Sequence, residues 1–394
     1  MIKNNVINID ELINWDILLQ DEEKIIQRSI KKFVDSTCMP KITENFMNGK
    51  ISTNIIKSIS NLGILGGDIK GYGCPNLTSI GYGLACYELE SCDSGLRTFV
   101  STQTSLAMYA IYRFGNEDQK KKWLPLMSKG LIIGCFALTE PNHGSDPSSM
   151  TSIAQKNGNN WIISGTKTWI TNATIADIII FWCKKNNQTK SINAFIIETT
   201  KNGIIRKNIP NKLSLRTSIT GTIYLNNVNV ENSNRLPFAD GLESALICLN
   251  NARFSVGFGV LGAAHACLEY TIKYTINRVQ FGKPIATKQL IQDKIAIMGS
   301  ELIKGILLAI HCGRLKSHNK LTNVQISLMK KNNCRTALDI ARISRAILGA
   351  NGIIADYHII RHMLNLESIL TCDGTEEMHS LVIGKALTGK DAIN

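Results

Sequence analysis

The sequence predicts an α+β protein in which two helical regions flank a middle β region. Three observations predict it. Apolar residues recur at helical spacing in the first third, short β-rich runs appear from Leu131 onward, and long helical patterns return beyond Gly241. A chain of 394 residues has room for two or three packed domains. The expected domains are residues 1–130, 131–237 and 238–394.

The N-terminal region has helical patterns from about residue 21 to residue 129. Ile26, Ile30 and Phe33 recur at the spacing of one helix face. Gly-rich breaks, such as Gly66-Gly67, interrupt the pattern. We therefore expect several helices joined by short turns.

The middle region contains short runs of β-branched and aromatic residues, which are typical of strands. These runs are residues 162–163, 178–181, 194–197 and 223–225. Turns are predicted at residues 158–160 and at Asn226-Asn227, where Gly and Asn cluster. The region is therefore expected to form a small β domain.

The C-terminal region has the longest helical patterns. The predicted helices span about residues 242–279, 288–317 and 322–348, and a shorter one follows Gly374. Gly282, Pro284 and Gly349 mark the breaks between them. Four consecutive helices predict a bundle.

Composition argues against several classes of function. The formal charge of +13 is scattered, and no basic patch alternates with stacking aromatics, so we expect no nucleic-acid binding. The eleven Cys include no Cys-x-x-Cys pair, so they are expected to be mostly buried and reduced, with no metal site. No stretch is expected to span a membrane. Residues 1–12 lack signal or transit features, so a cytoplasmic location is expected, or the mitochondrial matrix in a eukaryote.

Two motifs carry the strongest functional signal. Residues 136–146 read Phe-Ala-Leu-Thr-Glu-Pro-Asn-His-Gly-Ser-Asp, and residues 166–173 read Thr-Lys-Thr-Trp-Ile-Thr-Asn-Ala. The pair resembles the flavin-side loop and the Trp-bearing strand of the acyl-CoA dehydrogenase family. The resemblance extends over nearly the whole chain and looks closest to the glutaryl-CoA dehydrogenase branch. It implies an α+β fold with an N-terminal helical domain, a middle β-barrel domain and a C-terminal four-helix bundle.

The resemblance also implies an FAD site, which needs apolar contacts to the ring, hydrogen bonds to its polar edge, and Arg or close backbone at the pyrophosphate. The matching positions are Phe136, Leu138, Thr139, Ser145, Trp169, Thr171, Arg278, Phe281, Gln289, Gln292, Gly349, Asn351, Gly352, Thr375 and Glu377. Glu377 is the weakest of them, because an acid beside a pyrophosphate is electrostatically poor. Taken alone, Trp169 also fits a buried strand aromatic. In the family, a neighbouring subunit donates Arg278 and Phe281, so a homo-oligomer is implied, with a tetramer favoured.

The catalytic base of the branch is a Glu in a Glu-Gly-Thr segment, and the aligned residue here is Asp373. The Tyr that usually precedes the base is Cys372. Asp retains the carboxylate but withdraws it by about 1.5 Å. A slower dehydrogenase, a repositioned substrate or changed chemistry would follow. The alternatives are that Asp373 caps the following helix, or that Glu367 replaces it as the base.

The acyl-CoA site is implied by a further set of matches. These are Glu90, Arg97, Ser101, Ser145, Asn250 and Arg253. In the glutaryl-CoA branch, the residues at Arg97 and Ser101 hold the distal carboxylate of the substrate. The alternative for Arg97 is an internal ion pair with Glu90 or Asp93.

The implied function is FAD-dependent α,β-dehydrogenation of an acyl-CoA. Glutaryl-CoA, with decarboxylation to crotonyl-CoA, is the favoured substrate, and electrons would pass to an electron-transfer flavoprotein. One alternative is a dehydrogenase or oxidase of another short acyl thioester. The other is a non-catalytic flavin- or acyl-CoA-binding protein.

Overall fold

The computed structural model describes residues 7–186 and 191–392 and has the predicted order of helical, β and helical regions. The targeting expectation rests partly on positions 1–6, which lie outside the described residues. All eleven Cys are free and nine of them are buried, which confirms that most behave as small apolar residues.

The N-terminal region is helical, as predicted. Its helices are α1 Ile9–Ile13, α2 Trp15–Leu18, α3 Asp21–Phe33, α4 Met39–Asn48, α5 Thr53–Asn61, α6 Ser79–Cys92, α7 Ser94–Ser101, α8 Tyr109–Phe114 and α9 Glu117–Ser128. Reciprocal capping boxes begin two of them, with Gln20 and Glu23 at α3 and Asn116 and Gln119 at α9. Nearly every residue of α6 is buried, so this helix forms the centre of the region.

The middle region forms one seven-stranded sheet. Its strands are β1 Gly134–Ala137, β2 Ile153–Asn157, β3 Asn160–Thr171, β4 Ile178–Lys185, β5 Ile192–Glu198, β6 Ile204–Asn208 and β7 Thr220–Glu231. The strand order is β1-β4-β2-β3-β7-β6, and β5 pairs with β4. The predicted turn at residues 158–160 joins β2 to β3.

The predicted β-barrel is confirmed only in part, as a curled sheet that stays open. Within the described residues, no pairing joins β6 to β1 or β5, so the sheet curls without closing. Its β1 edge is covered by the N-terminal region instead. There the Gln103 side chain accepts a hydrogen bond from Gly134 N (2.7 Å) and donates one to Ile132 O (2.8 Å). A helix that covers an edge strand can protect its unpaired backbone N–H and C=O groups, as pairing with another strand would in a closed barrel.

The predicted turn at Asn226-Asn227 is wrong, because both residues lie inside β7. Asn227 has a positive φ of 51°, and the pairing of β3 with β7 shifts register between Ile163 and Gly165. The Asn227 side chain accepts a hydrogen bond from Ser164 Oγ (3.0 Å). The turn-like residues therefore mark a β-bulge.

The C-terminal region has one helix more than the four predicted. Its helices are α10 Gly241–Asn277, α11 Gln289–Ser317, α12 Asn323–Leu348, α13 Ile359–Thr371 and α14 Glu376–Thr388. The hairpin strands β8 Val279–Gln280 and β9 Lys283–Pro284 lie between the first two helices. The helix that was not predicted is α13, which carries Glu367.

Two of these helices are long and apolar enough to cross a membrane by length and composition, contrary to the expectation from the sequence. In their most apolar windows, 72% of α10 and 44% of α11 is buried inside the protein. Their apolar residues pack against α6 and α12 in the main core cluster. Burial within a large helical domain therefore accounts for the apolar character of α10, and for less than half of the apolar window of α11.

The crossing of α10 over α6 depends on Gly262. A Cβ at this position would lie 1.9 Å from Tyr87 O and 3.0 Å from Ser91 N, so only Gly lets the two backbones approach this closely. Gly299, on α11, has no atom within 4 Å of the corresponding Cβ position. The two glycines therefore differ in packing while both lie within helices.

We predict that Gly262→Ala lowers the free energy of unfolding by about 1–3 kcal/mol, because the added methyl group overpacks the α6–α10 contact. Gly299→Ala, the matched control, should be neutral or stabilising by up to about 1 kcal/mol, since Ala favours a helix over Gly. Urea unfolding of the two variants checks this. Equal midpoints would contradict the close-packing account.

Candidate functional site

The two sequence motifs meet through a buried ion pair. Lys167, on β3, donates hydrogen bonds from Nζ to Leu138 O and to Glu140 Oε1, both at 2.9 Å. Thr168 N also donates to Thr139 O at 2.9 Å. Lys167 and Glu140 are almost fully buried. The loop that follows β1 is therefore fixed against the strand that carries Trp169.

Glu140 is held as a carboxylate by several donors. Thr151 N (2.6 Å), Thr151 Oγ1 (2.7 Å) and Ser152 N (2.9 Å) all donate to it. Burial alone would raise the pKa of Glu140, but the Lys167 cation and these hydrogen bonds outweigh it and lower that pKa to about 2. Burial lowers the pKa of Lys167, and Glu140 opposes that shift. Sequence analysis missed both residues, although charged residues inside otherwise apolar motifs were the available signal.

The joined motifs present a flat, partly exposed surface. Trp169 has a φ of 60° and is 60% exposed, because the register of β3 shifts between Lys167 and Ile170. Thr139 and Thr171 are half-buried beside it. An exposed Trp on a rigid strand, flanked by hydroxyls, suits a planar aromatic ligand with a polar edge.

The other predicted residues of the motifs support this surface or lie beyond it. Phe136 and Leu138 are buried, and Phe136 packs on Trp182 with ring centroids 5.6 Å apart. Their side chains therefore stabilise the loop from the core. Ser145 is exposed further along the same loop.

A second group of predicted residues lies at one end of the bundle. A cavity of about 640 Å³ is lined by Arg278, Phe281, Gly349 and Asn351, with Lys288 as a second cation that sequence analysis missed. Phe281 is 93% exposed. Two cations beside Gly-rich backbone suit a pyrophosphate. None of the middle-domain residues lines this cavity, so the structure divides the predicted flavin contacts into two separate groups.

The remaining residues predicted at this end take different positions. Gln289 and Gln292 are exposed at the start of α11. A Cβ at Gly352 would lie 2.3 Å from Arg345 O, so this Gly is needed for packing. Thr375 caps α14 by accepting a hydrogen bond from Met378 N (3.2 Å). Glu377 is exposed in the first turn of α14, away from the cavity lining.

Asp373 lies in the turn between α13 and α14, with φ values of 53° at Asp373 and 101° at Gly374. Its carbonyl oxygen accepts a hydrogen bond from Arg253 Nε at 2.6 Å. Arg253 Nη1 also donates to Asn250 Oδ1 at 2.8 Å. The structure therefore brings Asn250, Arg253 and Asp373 together. Because Thr375 caps α14, the carboxylate of Asp373 is not the helix cap.

Arg97 forms a buried ion pair with Glu90. Arg97 Nε donates to Glu90 Oε2 at 2.6 Å and Nη2 donates to Oε1 at 3.4 Å. Burial raises the pKa of Glu90, and the Arg97 cation partly offsets this. Within residues 7–186 and 191–392, Nη1 of Arg97 makes no hydrogen bond, which leaves its two N–H groups for a ligand. Asp93 pairs with Arg361 instead (3.1 Å).

Ser101 and Glu367 have clear partners. Ser101 Oγ lies 2.6 Å from Ser255 Oγ, and both hydroxyls are buried. Glu367 accepts hydrogen bonds from Arg342 at 3.0 and 2.5 Å on the protein surface. Its surface position makes Glu367 a poor rival to Asp373 as a base.

Cys372 precedes Asp373 in this turn, and its thiol donates a hydrogen bond to Ile369 O at 3.6 Å. Burial raises the pKa of Cys372 to about 12; Asp373 adds to this shift, and the Lys330 and Arg97 cations oppose it. Arg97 and Lys330 lie against the same segment of α10, since a Cβ at Gly259 would lie 3.1 Å from Arg97 Cγ and one at Gly257 would lie 3.4 Å from Lys330 Cα. Lys330 was missed in the sequence, where it looks like any helix lysine.

Comparison with known proteins identifies the same family over all three regions of the chain. Family models of the acyl-CoA dehydrogenase N-terminal, middle and C-terminal domains match residues 20–131, 135–228 and 239–388. A glutaryl-CoA dehydrogenase of Desulfococcus multivorans is 30% identical over 376 residues, which cover 93% of this chain and 97% of the relative.

Two solved structures are similar throughout. A glutaryl-CoA dehydrogenase from Mycobacterium smegmatis in complex with FADH2 has a TM-score of 0.96 and 47% identity, covering 98% of this chain and 99% of that one. The butyryl-CoA dehydrogenase of Megasphaera elsdenii has a TM-score of 0.90 and 30% identity, covering 94% and 98%.

We predict that Lys167→Met lowers the free energy of unfolding by about 3–5 kcal/mol at pH 7, because Glu140 is left buried without its cation. The pKa of Glu140 in the folded protein, about 2, lies below its ordinary value of 4.5. The stabilisation is therefore present above about pH 4.5 and is lost as the pH falls toward 2. Urea unfolding between pH 3 and 7 should show that the free energy of unfolding depends less on pH in the variant than in the wild type.

Lys122→Met is the matched control, since Lys122 forms an exposed pair with Glu198 (3.5 Å). An exposed pair contributes about 0–1 kcal/mol. If both variants lose the same stability, the buried pair does not join the two motifs as described.

Proposed function

The chain belongs to the acyl-CoA dehydrogenase family, and we propose that it is an FAD-dependent dehydrogenase of a dicarboxylyl-CoA, with glutaryl-CoA as the favoured substrate. The observation that supports this most is the buried Arg97, which packs on α10 at Gly259. Lys330 packs on the same segment at Gly257, and its Nζ donates to Gly374 O in the Asp373 turn. Nη1 of Arg97 has no hydrogen-bond partner in the part of the chain that the structure describes. A buried cation with a free donor suits the distal carboxylate of such a substrate.

The residues present fit FAD in two parts. Trp169, Thr139 and Thr171 would contact the ring system and its polar edge, and Arg278, Lys288 and the Gly349 backbone would contact the pyrophosphate. When bound, FAD accepts the hydride that leaves the β-carbon of the substrate. The M. smegmatis relative was solved with FADH2, which supports the same cofactor here.

Because the two groups of flavin contacts lie apart in one protomer, we propose that one FAD is held between two subunits. The exposed Trp169 and Phe281 would then be covered by cofactor and partner. A homotetramer built from such dimers is the favoured assembly. The electron acceptor we propose is an electron-transfer flavoprotein.

Asp373 would remove the α-proton of the thioester as a general base. Its own backbone N–H would donate to the thioester oxygen and stabilise the negative charge that develops there. Arg97 would hold the distal carboxylate, so that the α-carbon is placed at Asp373. For glutaryl-CoA, loss of CO₂ from the distal end would then give crotonyl-CoA.

A second candidate is a dehydrogenase or oxidase of another short acyl thioester. It is favoured by the Arg97–Glu90 pair, which already satisfies part of the guanidinium inside the protein. It is also favoured by Cys372 and Asp373, which depart from the usual Tyr and Glu. Under this alternative, Arg97 is a structural partner of Glu90.

We predict that the purified yellow protein is bleached anaerobically by glutaryl-CoA. With butyryl-CoA the rate should fall, by up to about 10⁴-fold, because Arg97 is left without its ligand. Stopped-flow absorbance of the flavin across a panel of acyl-CoAs measures this. The reverse preference would favour the second candidate. A colourless protein that cannot be reconstituted with FAD would overturn both.

We predict that Asp373→Asn abolishes flavin reduction, because the amide cannot accept the α-proton, while binding of the acyl-CoA remains. Glu367→Gln, which removes a surface carboxylate six residues earlier, is the matched control and should reduce flavin at the wild-type rate. Stopped-flow reduction and equilibrium binding separate the two steps. An Asp373→Asn variant as fast as wild type would show that another residue is the base.

A further inference from the structure

We propose that Lys330 is a positioning residue that holds the Asp373 turn; this inference deepens the proposed function and rests on it. Lys330 lies on α12 and is 1% exposed. Its Nζ donates hydrogen bonds to Leu370 O (2.9 Å) and to Gly374 O (2.8 Å). One side chain therefore joins the last turn of α13 to the residue that follows the candidate base.

The turn needs such support because of its backbone conformation. Asp373 and Gly374 both have positive φ, and a left-handed conformation is unfavourable for a residue with a Cβ. The last carbonyls of α13 also lack partners within the helix. Lys330 supplies a donor to one of them, Leu370 O, and fixes the backbone on both sides of Asp373.

Two other basic residues pack behind the turn. Arg253 donates to Asp373 O, and His379 is buried with no hydrogen-bond partner for either ring nitrogen among the described residues. Burial, followed by the Lys330 and Arg253 cations, lowers the pKa of His379 to about 3, so this ring is neutral. A Cβ at Gly374 would lie 3.0 Å from Arg253 Nη2 and 3.1 Å from His379 Nε2. Arg253 and His379 therefore lie next to Gly374, while Lys330 binds carbonyls on both sides of Asp373.

The position of this backbone matters for catalysis because the carboxylate of Asp373 is one bond shorter than that of Glu. A misplacement of about 1 Å can cost on the order of 10²-fold in rate. The short side chain offers little freedom to compensate, so the main chain sets where the carboxylate lies. Lys330 acts on that main chain and does not contact the substrate in this account.

The test compares Lys330→Met, which removes the donors, with Lys330→Arg, which retains a cation. Lys331→Met is the matched control, since Lys331 is the adjacent residue and its nearest acidic partner is Glu376 at 3.8 Å. The probe is thiodiglycolyl-CoA, in which sulfur replaces the β-carbon of glutaryl-CoA. It has exchangeable α-protons but no β-hydride, so deuterium uptake from D₂O reports α-proton removal without flavin reduction.

We expect Lys330→Met to slow the α-exchange by on the order of 10²-fold, with the dissociation constant of the probe close to that of wild type. Amide hydrogen exchange of residues 370–376, measured by mass spectrometry, should become faster. Lys330→Arg should restore part of the α-exchange rate and part of the amide protection. Lys331→Met should match wild type in both measurements. If Lys330→Met does not fold, Lys330→Arg alone should show slower α-exchange and faster amide exchange than Lys331→Met.

The proposal is overturned if Lys330→Met and Lys331→Met have the same amide exchange across the turn. If the wild-type protein itself exchanges no α-protons, the proposed function fails for this substrate class. The amide exchange still decides whether Lys330 holds the turn. The two failures are therefore distinguishable.

Discussion

The buried ion pair between Lys167 and Glu140 is the interaction on which the rest of the site depends. It joins a loop after β1 to a strand 27 residues later, and both side chains are almost fully buried. Two buried charges are tolerated there only because each also has hydrogen-bond partners, Leu138 O for the cation and the Thr151 and Ser152 amides for the carboxylate. With the loop and strand fixed, Trp169 can remain exposed without moving.

A similar arrangement recurs at the other end of the site. The Asp373 turn is held by cations that bind main-chain carbonyls, Arg253 at Asp373 and Lys330 at Leu370 and Gly374. Buried cations therefore position backbone here. Arg97 differs, because the Glu90 side chain holds its guanidinium while Nη1 has no partner within the described residues. If Asp373 and Arg97 act as proposed, these contacts would hold them on rigid supports, as preorganised catalysis requires.

The order of the regions and the contact between the two motifs could be predicted from the sequence. The first follows from local periodicity, and the second from residue types at fixed spacing. Features that depend on contacts between residues far apart in the chain could not be predicted from the sequence. The edge strand β1 is covered by Gln103, which comes from another region of the chain. Asn226-Asn227 resembles a turn, and only pairing with β3 makes it a bulge. The role of Lys330 depends on carbonyls 40 and 44 residues away, which no local pattern reveals.

The central claim is that the carboxylate of Asp373 meets the α-carbon of an acyl-CoA whose far end lies at Arg97. A crystal structure of the FAD-loaded protein with thiodiglycolyl-CoA tests this most directly. The account predicts a carboxylate oxygen of Asp373 within about 3–3.5 Å of the α-carbon, and the distal carboxylate in contact with Arg97 Nη1. An α-carbon beside Glu90, or beside no carboxylate at all, would contradict it.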